Sequence, residues 1–292
     1  MSMVWIRIRI ENRIPINPKL TFGDRLERYT MPLTIAVANA KGGVAKTTST
    51  LSLGASFAEA GKQVLLVDLD PHANLTISLG LKPSSVAVTI ADVLMGSQAI
   101  ADVARQTTQD RLLLAPSNHD LSMAETHLVV RENYQQLLKA ALKTLSGYDI
   151  VVLDCPPTLG ALTQNALASA DLLIIPTQPE YFSAHALRDM LNLILTIRQD
   201  HNPKLRYRIL LTMLDRRNRI HVSLAQQIRT AFNEATFDTE IEIDTRLRES
   251  PIFGQPINLY APSSRATNQY RQLSEELGQF IDEFNRGYSP TA

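Results

Sequence analysis

The run Ala40-Lys41-Gly42-Gly43-Val44-Ala45-Lys46-Thr47-Thr48 gathers two lysines, two glycines and two hydroxyls. It lies between an apolar β-type run, Leu33 to Ala38, and a helical pattern, Thr47 to Ala60. A strand–loop–helix junction of this kind is the setting of a phosphate-binding loop. Its backbone N–H groups form an anion-binding concavity, and the helix N-terminus adds the positive end of its dipole. Lys46 is placed to reach the β- and γ-phosphates of a nucleotide, and the Thr47 hydroxyl to ligate Mg²⁺. The strict pattern G-x-x-x-x-G-K-[ST] is nevertheless not met, because positions 40 and 45 are both Ala. Gly42-Gly43 stands instead, with a second lysine, Lys41, five residues ahead of Lys46.

Carboxylates follow two further apolar runs. One gives Val67-Asp68-Leu69-Asp70-Pro71-His72-Ala73-Asn74, the other Leu153-Asp154-Cys155-Pro156-Pro157. An Asp closing a strand can simply start a turn or cap a helix. It can also hold Mg²⁺ beside a phosphate loop, as the Walker-B aspartate does. Placed together with the loop, Asp154 fits the second role.

These residues need a scaffold that brings strand ends together. Apolar β-type runs at 33–38, 63–68, 111–115, 149–153, 171–176, 206–212 and 239–243 alternate with helical patterns near 46–60, 119–145, 161–169, 183–199, 221–234 and 264–285. Several runs, such as Val64-Leu65-Leu66-Val67 and Ile150-Val151-Val152-Leu153, are apolar throughout, as strands buried on both faces are. The pattern predicts an α/β fold: a doubly wound, mostly parallel sheet with helices on both faces, in which ligands bind at the carboxyl ends of the strands. Residues 1–30 stand apart, with Pro15 and Pro18 breaking regular structure and Met31 offering a second start, so they read as an N-terminal extension or a start-site artefact. Residues 31–288 read as one doubly wound α/β domain, and 289–292 as a tail.

Composition narrows the function classes. Apolar residues at 45% and charged residues at 20% describe a folded, soluble chain, and its 292 residues suffice for a sizeable core. Net charge is zero, so affinity for nucleic acid must come from a local patch. The single cysteine, Cys155, excludes an intrachain disulfide framework and reads as a small packed residue. No run is long and apolar enough for a membrane span, and no secretory h-region is visible, which points to the cytoplasm.

Lys41-Gly42-Gly43-Val44-Ala45-Lys46-Thr47-Thr48, Asp68-Leu69-Asp70-Pro71 and Asp154-Cys155-Pro156-Pro157 together resemble the ParA/MinD family of deviant-Walker ATPases. The similarity continues through Thr163-Gln164-Asn165-Ala166-Leu167, Pro176-Thr177-Gln178-Pro179-Glu180, Leu211-Thr212-Met213-Leu214-Asp215 and Arg246-Leu247-Arg248-Glu249-Ser250-Pro251. Its nearest branch looks like the short, chromosomal-type (Soj-like) ParA proteins. The resemblance implies ATP and Mg²⁺, the loop from Lys41 to Thr48 and Met213 as nucleotide-binding residues, and Thr47 and Asp154 as metal ligands. It implies catalytic roles for Lys41, Lys46 and Asp70. Lys41 matches the lysine that crosses a sandwich homodimer to the partner's nucleotide, and Asp70 the aspartate that organises the attacking water. It also implies a ParB-like activating partner and nucleoid association. Ala45 replaces the family's usual Gly, and His72-Ala73 its common Gln-Gly.

Six Lys or Arg residues lie between Lys204 and His221 (204, 206, 208, 216, 217 and 219), against one acid, Asp215. Alone, Arg216-Arg217-Asn218-Arg219 reads as a solvated loop. Through the resemblance, Arg217 and Arg246, with Arg216 and Arg219, become the residues that bind DNA without sequence preference. The family's Pro-Arg-Asn reads Glu242-Ile243-Asp244 here. Near the C-terminus, Tyr270, Leu273, Leu277, Phe280, Ile281 and Phe284 form an apolar stripe opposite an acidic face of Glu275, Glu276, Asp282 and Glu283. A membrane-surface helix carries a basic face, so this stripe is expected to pack in the core, against a MinD-like membrane cycle. A metabolic ligase of the same fold, dethiobiotin-synthetase-like, is the competing enzyme reading, and it leaves Lys41 and the arginine loop without a role.

Overall fold

In the computed structural model, residues 32–286 are described; the expectations for residues 1–30, Met31 and 289–292 lie outside them. The strands are β1 (Leu33–Val37), β2 (Val64–Asp68), β3 (Arg105–Gln106), β4 (Leu112–Ala115), β5 (Ile150–Asp154), β6 (Leu172–Thr177) and β7 (Arg206–Leu211). They build one sheet in the order β3-β4-β2-β5-β1-β6-β7. All neighbours are parallel except the short β3 against β4.

Strand alternation divides the core into two layers. Ile35, Val37, Leu66 and Val152 face one side, where helices Lys46–Glu59 and Arg265–Arg286 supply Leu53, Phe57, Tyr270 and Leu273. Ala36, Leu65, Val67 and Leu153 face the other, covered by helices that include Ala161–Ser169, Ser183–Asp200 and Arg219–Phe232. Tyr270, Leu273 and Leu277 are fully buried, as the stripe predicts, and the side chains of Phe280, Ile281 and Phe284 lie outside the described ones. Among the described residues no helix is long and apolar enough to cross a membrane. Helix Lys46–Glu59 lies so close to β2 that a Cβ on Gly54 would meet Leu66 Cδ2 at 2.4 Å. That approach fixes the helix whose first turn carries Lys46 and Thr47.

Three expectations are corrected. The run 239–243 is not a strand: beyond the end of β7 it makes only an isolated bridge, Leu214 to Glu242, and its glutamates turn to arginines. The pattern at 119–145 is not one helix but Asp120–Leu128, a 3₁₀ turn at Tyr134–Gln136 and Leu137–Leu142, because Asn133 takes a left-handed φ of 55° that ends the helical path. Arg219 belongs to the first turn of a helix rather than the loop, with Asn218 capping it through Ile220 N.

Candidate functional site

The carboxyl ends of β1, β2 and β5 converge because the three strands are neighbours in register: Val37 pairs with Asp154, and Asp68 pairs with Asp154. The loop after β1 therefore stands directly beside both aspartates. It is tied down from the opposite side as well. Asn39 donates to Pro176 O at 2.7 Å and accepts from Lys41 N, and Thr212 Oγ1 donates to Val44 O at 3.0 Å. Ala45 takes φ 66°. The left-handed turn of a glycine is thus kept with a methyl group.

That cleft, about 660 Å³, is lined by Gly42, Gly43 and Ala45 to Thr48, by Asp70 and His72, and across from them by Met213, Ile241 to Asp244, Leu247 and Arg248. The sequence-predicted residues Gly42, Gly43, Ala45, Lys46, Thr47, Thr48, Asp70 and Met213 are brought together there. Val44 is buried beneath the loop, and Asp154 is buried below it. Lys41 instead turns to Glu180 at the start of the segment after β6, forming an ion pair. The four arginines lie outside the cleft.

Electrostatics single out the floor. Lys46 is buried, and its Nζ donates to Lys41 O at 3.2 Å. Burial lowers its pKa, while Asp154, Cys155 and Asp70 oppose that change. Asp154 is fully buried, accepts from Thr50 Oγ1 at 3.2 Å and feels the Thr47 hydroxyl, yet its Oδ2 has no hydrogen-bond partner. Burial first, and then the charge of Asp68, push its pKa well above the ordinary carboxylate value. A buried carboxylate oxygen left bare beside a threonine hydroxyl fits a hard cation, and Mg²⁺ commonly takes few protein oxygens, with water and phosphate completing its shell. Cys155 is buried, and burial, then Asp154, push its thiol pKa up, consistent with a packed residue.

The loop after β2 is fixed by residues to which the sequence gives no role. Asp68 Oδ1 accepts from Asp70 N, and Oδ2 from Thr76 N at 2.8 Å and Thr76 Oγ1 at 2.7 Å. Ser117, after β4, donates through Oγ to Asp70 O and through N to Thr76 Oγ1. The alternation Asp68-Leu69-Asp70 at a strand end is the visible signal for the first of these; nothing local marks Ser117.

The basic segment is less cationic in space than in sequence. Arg216 pairs with Glu240 and Glu242, and Arg265 also reaches Glu242. Arg206 is buried in β7, and Arg208 lies over the Phe237 ring. Arg217 projects with its side chain 89% exposed while pairing with Asp215. Arg219 and Arg246 are exposed.

The fold and cleft define a P-loop nucleotide-binding protein with a deviant Walker A loop. A family model described as an AAA domain, AAA_31, matches residues 33–207. The chain is 38% identical over 245 residues to the sporulation initiation inhibitor protein Soj of Bacillus subtilis, covering 83% of this chain and 97% of that protein. It is 38% identical over 250 residues to the chromosome partitioning protein ParA of Myxococcus xanthus, covering 85% and 88%. A crystal structure of cobyrinic acid a,c-diamide synthase from Mycobacterium smegmatis, with a bound ATP analog and magnesium, superposes with a TM-score of 0.76 at 33% identity, covering 88% of this chain and 97% of that one. The chain belongs to the AAA_31 family, among the ParA/MinD-type ATPases.

Proposed function

We propose that this protein is an ATPase switch that dimerises around ATP, binds DNA without sequence preference in that state, and positions a chromosome, plasmid or protein cargo. The carrying observation is the cleft lined by the phosphate loop and Asp70, with the bare, buried oxygen of Asp154 below that loop. Soj and ParA relatives at 38% identity support the positioning role.

In this reading Lys46 and the loop N–H groups from Gly42 to Thr48 hold the phosphates, and Met213 lies on the far wall. Thr47 and Asp154 hold Mg²⁺, which when bound neutralises charge on the β- and γ-phosphates. Asp70 orders a water whose oxygen bonds to the γ-phosphorus as the bond to the β–γ bridging oxygen breaks, giving ADP and phosphate. Lys41 leaves Glu180 and contacts the nucleotide of a second copy, supplying positive charge in trans. The homodimer doubles an arginine surface built on Arg217, Arg246, Arg219 and Arg216, and weak phosphate contacts become firm through avidity. A ParB-like protein stimulates hydrolysis and resets the cycle, in the cytoplasm and on the nucleoid, with no membrane step.

The name of the Mycobacterium smegmatis relative favours a second reading, an ATP-dependent synthase of the same fold. Duplex-DNA binding measured with ATP, ADP or no nucleotide at about 50 and 200 mM salt separates the two. Binding confined to ATP and weakened by salt supports the switch; indifference to DNA in every nucleotide state contradicts it.

A further inference from the structure

His72, a cleft side chain that the ATPase reading leaves unused, is in direct contact with Asp70. His72 Nδ1 lies 2.8 Å from Asp70 Oδ1, and the His72 backbone N–H donates to the same oxygen at 2.9 Å. A carboxylate oxygen can only accept, so the ring nitrogen facing it carries the hydrogen. Both donors of one residue therefore converge on Oδ1, and Oδ2 of Asp70 takes no hydrogen bond from the described residues. The two partners differ in exposure: the His72 side chain is 76% exposed at the cleft, and that of Asp70 only 8%. The geometry is over-determined from below, since Asp70 N is held by Asp68, Asp70 O by Ser117, and Ala73 N returns to Asp70 O at 2.8 Å.

We infer that His72 is a positioning residue for hydrolysis, holding the Asp70 carboxylate by Oδ1 so that Oδ2 is presented to the attacking water. The inference rests on the ATPase reading. Asp68 lies beneath the pair, Lys46 and Asp154 lie toward the phosphate loop, and Glu242, Asp244 and Arg248 stand on the facing wall.

The test compares full-length wild type, His72→Ala and His72→Gln for ATP hydrolysis at one fixed pH, with fluorescent-ATP binding and circular dichroism as controls. His72→Ala is expected to lower kcat about tenfold with KM and nucleotide affinity within about twofold, the split that marks an interaction made in the transition state. His72→Gln keeps a neutral N–H donor and is expected to recover kcat to within about threefold of wild type. Wild-type hydrolysis that His72→Ala leaves unchanged, or a His72→Gln rate no higher than that of His72→Ala, overturns the inference alone. Absence of hydrolysis by the wild type overturns the ATPase reading and this inference with it.

Discussion

Asp68 and Asp154 sit side by side on neighbouring parallel strands, both fully buried, yet only Asp154 keeps an oxygen without a partner. Asp68 spends both of its oxygens on the loop that carries Asp70. Two like residues at the same height in the sheet are thus set to different work by their donors. One fixes a loop, and the other keeps a buried oxygen without a partner among the described residues.

Burial above all raises the pKa of Asp68 from 3.8 to about 6. The unfolded chain loses this proton first, so between those values the unfolded state binds fewer protons and stability falls as pH rises. Asp68→Asn removes that dependence, at a fixed cost in hydrogen bonds. The stability gap between wild type and variant is expected to narrow by about 2 kcal/mol from pH 4.5 to 7, measured by urea unfolding without nucleotide. A gap that widens with pH contradicts this.

Ala45 and Ala73 occupy the left-handed region, at φ 66° and 54°. A Cβ there costs about 1–2 kcal/mol, partly offset by the greater entropy a glycine brings to the unfolded chain. Ala45→Gly and Ala73→Gly are each expected to stabilise by about 0.5–1 kcal/mol, a Tm rise of about 1–4 °C by scanning calorimetry. A lower Tm for either variant would show that its methyl group contributes packing that outweighs the strain.

The strand ends were legible because continuous apolar runs and their closing aspartates are local features. The phosphate loop was legible despite Ala45, since its lysines and hydroxyl keep their spacing. The far wall was not. Ile241 to Asp244 alternates like a strand, and only the distant Arg216, Arg265 and Gln269 show why it leaves the sheet. The arginine loop misled in the same way, because Glu240 and Glu242, which neutralise Arg216, lie more than twenty residues downstream. Lys41 showed its type in sequence but not its resting partner, Glu180.

Among the described residues Arg217 pairs with a neighbour in its own loop, and it is the most exposed of the paired arginines there. Arg217→Glu is expected to abolish retention on duplex DNA while ATP-dependent dimerisation persists, read by DNA-coated-surface binding alongside light scattering. Loss of dimerisation in this variant would place the loop in the subunit interface instead.

The central claim is that the cleft works as half of a composite site, completed by Lys41 of a second copy. Analytical ultracentrifugation of Asp70→Ala with Mg²⁺ and ATP tests it most directly, beside the double variant that adds Lys41→Ala. A species of twice the monomer mass is expected for Asp70→Ala with ATP but not with ADP, and a monomer for the double variant. A monomer for Asp70→Ala at saturating ATP, or a dimer that forms equally well without Lys41, would contradict it.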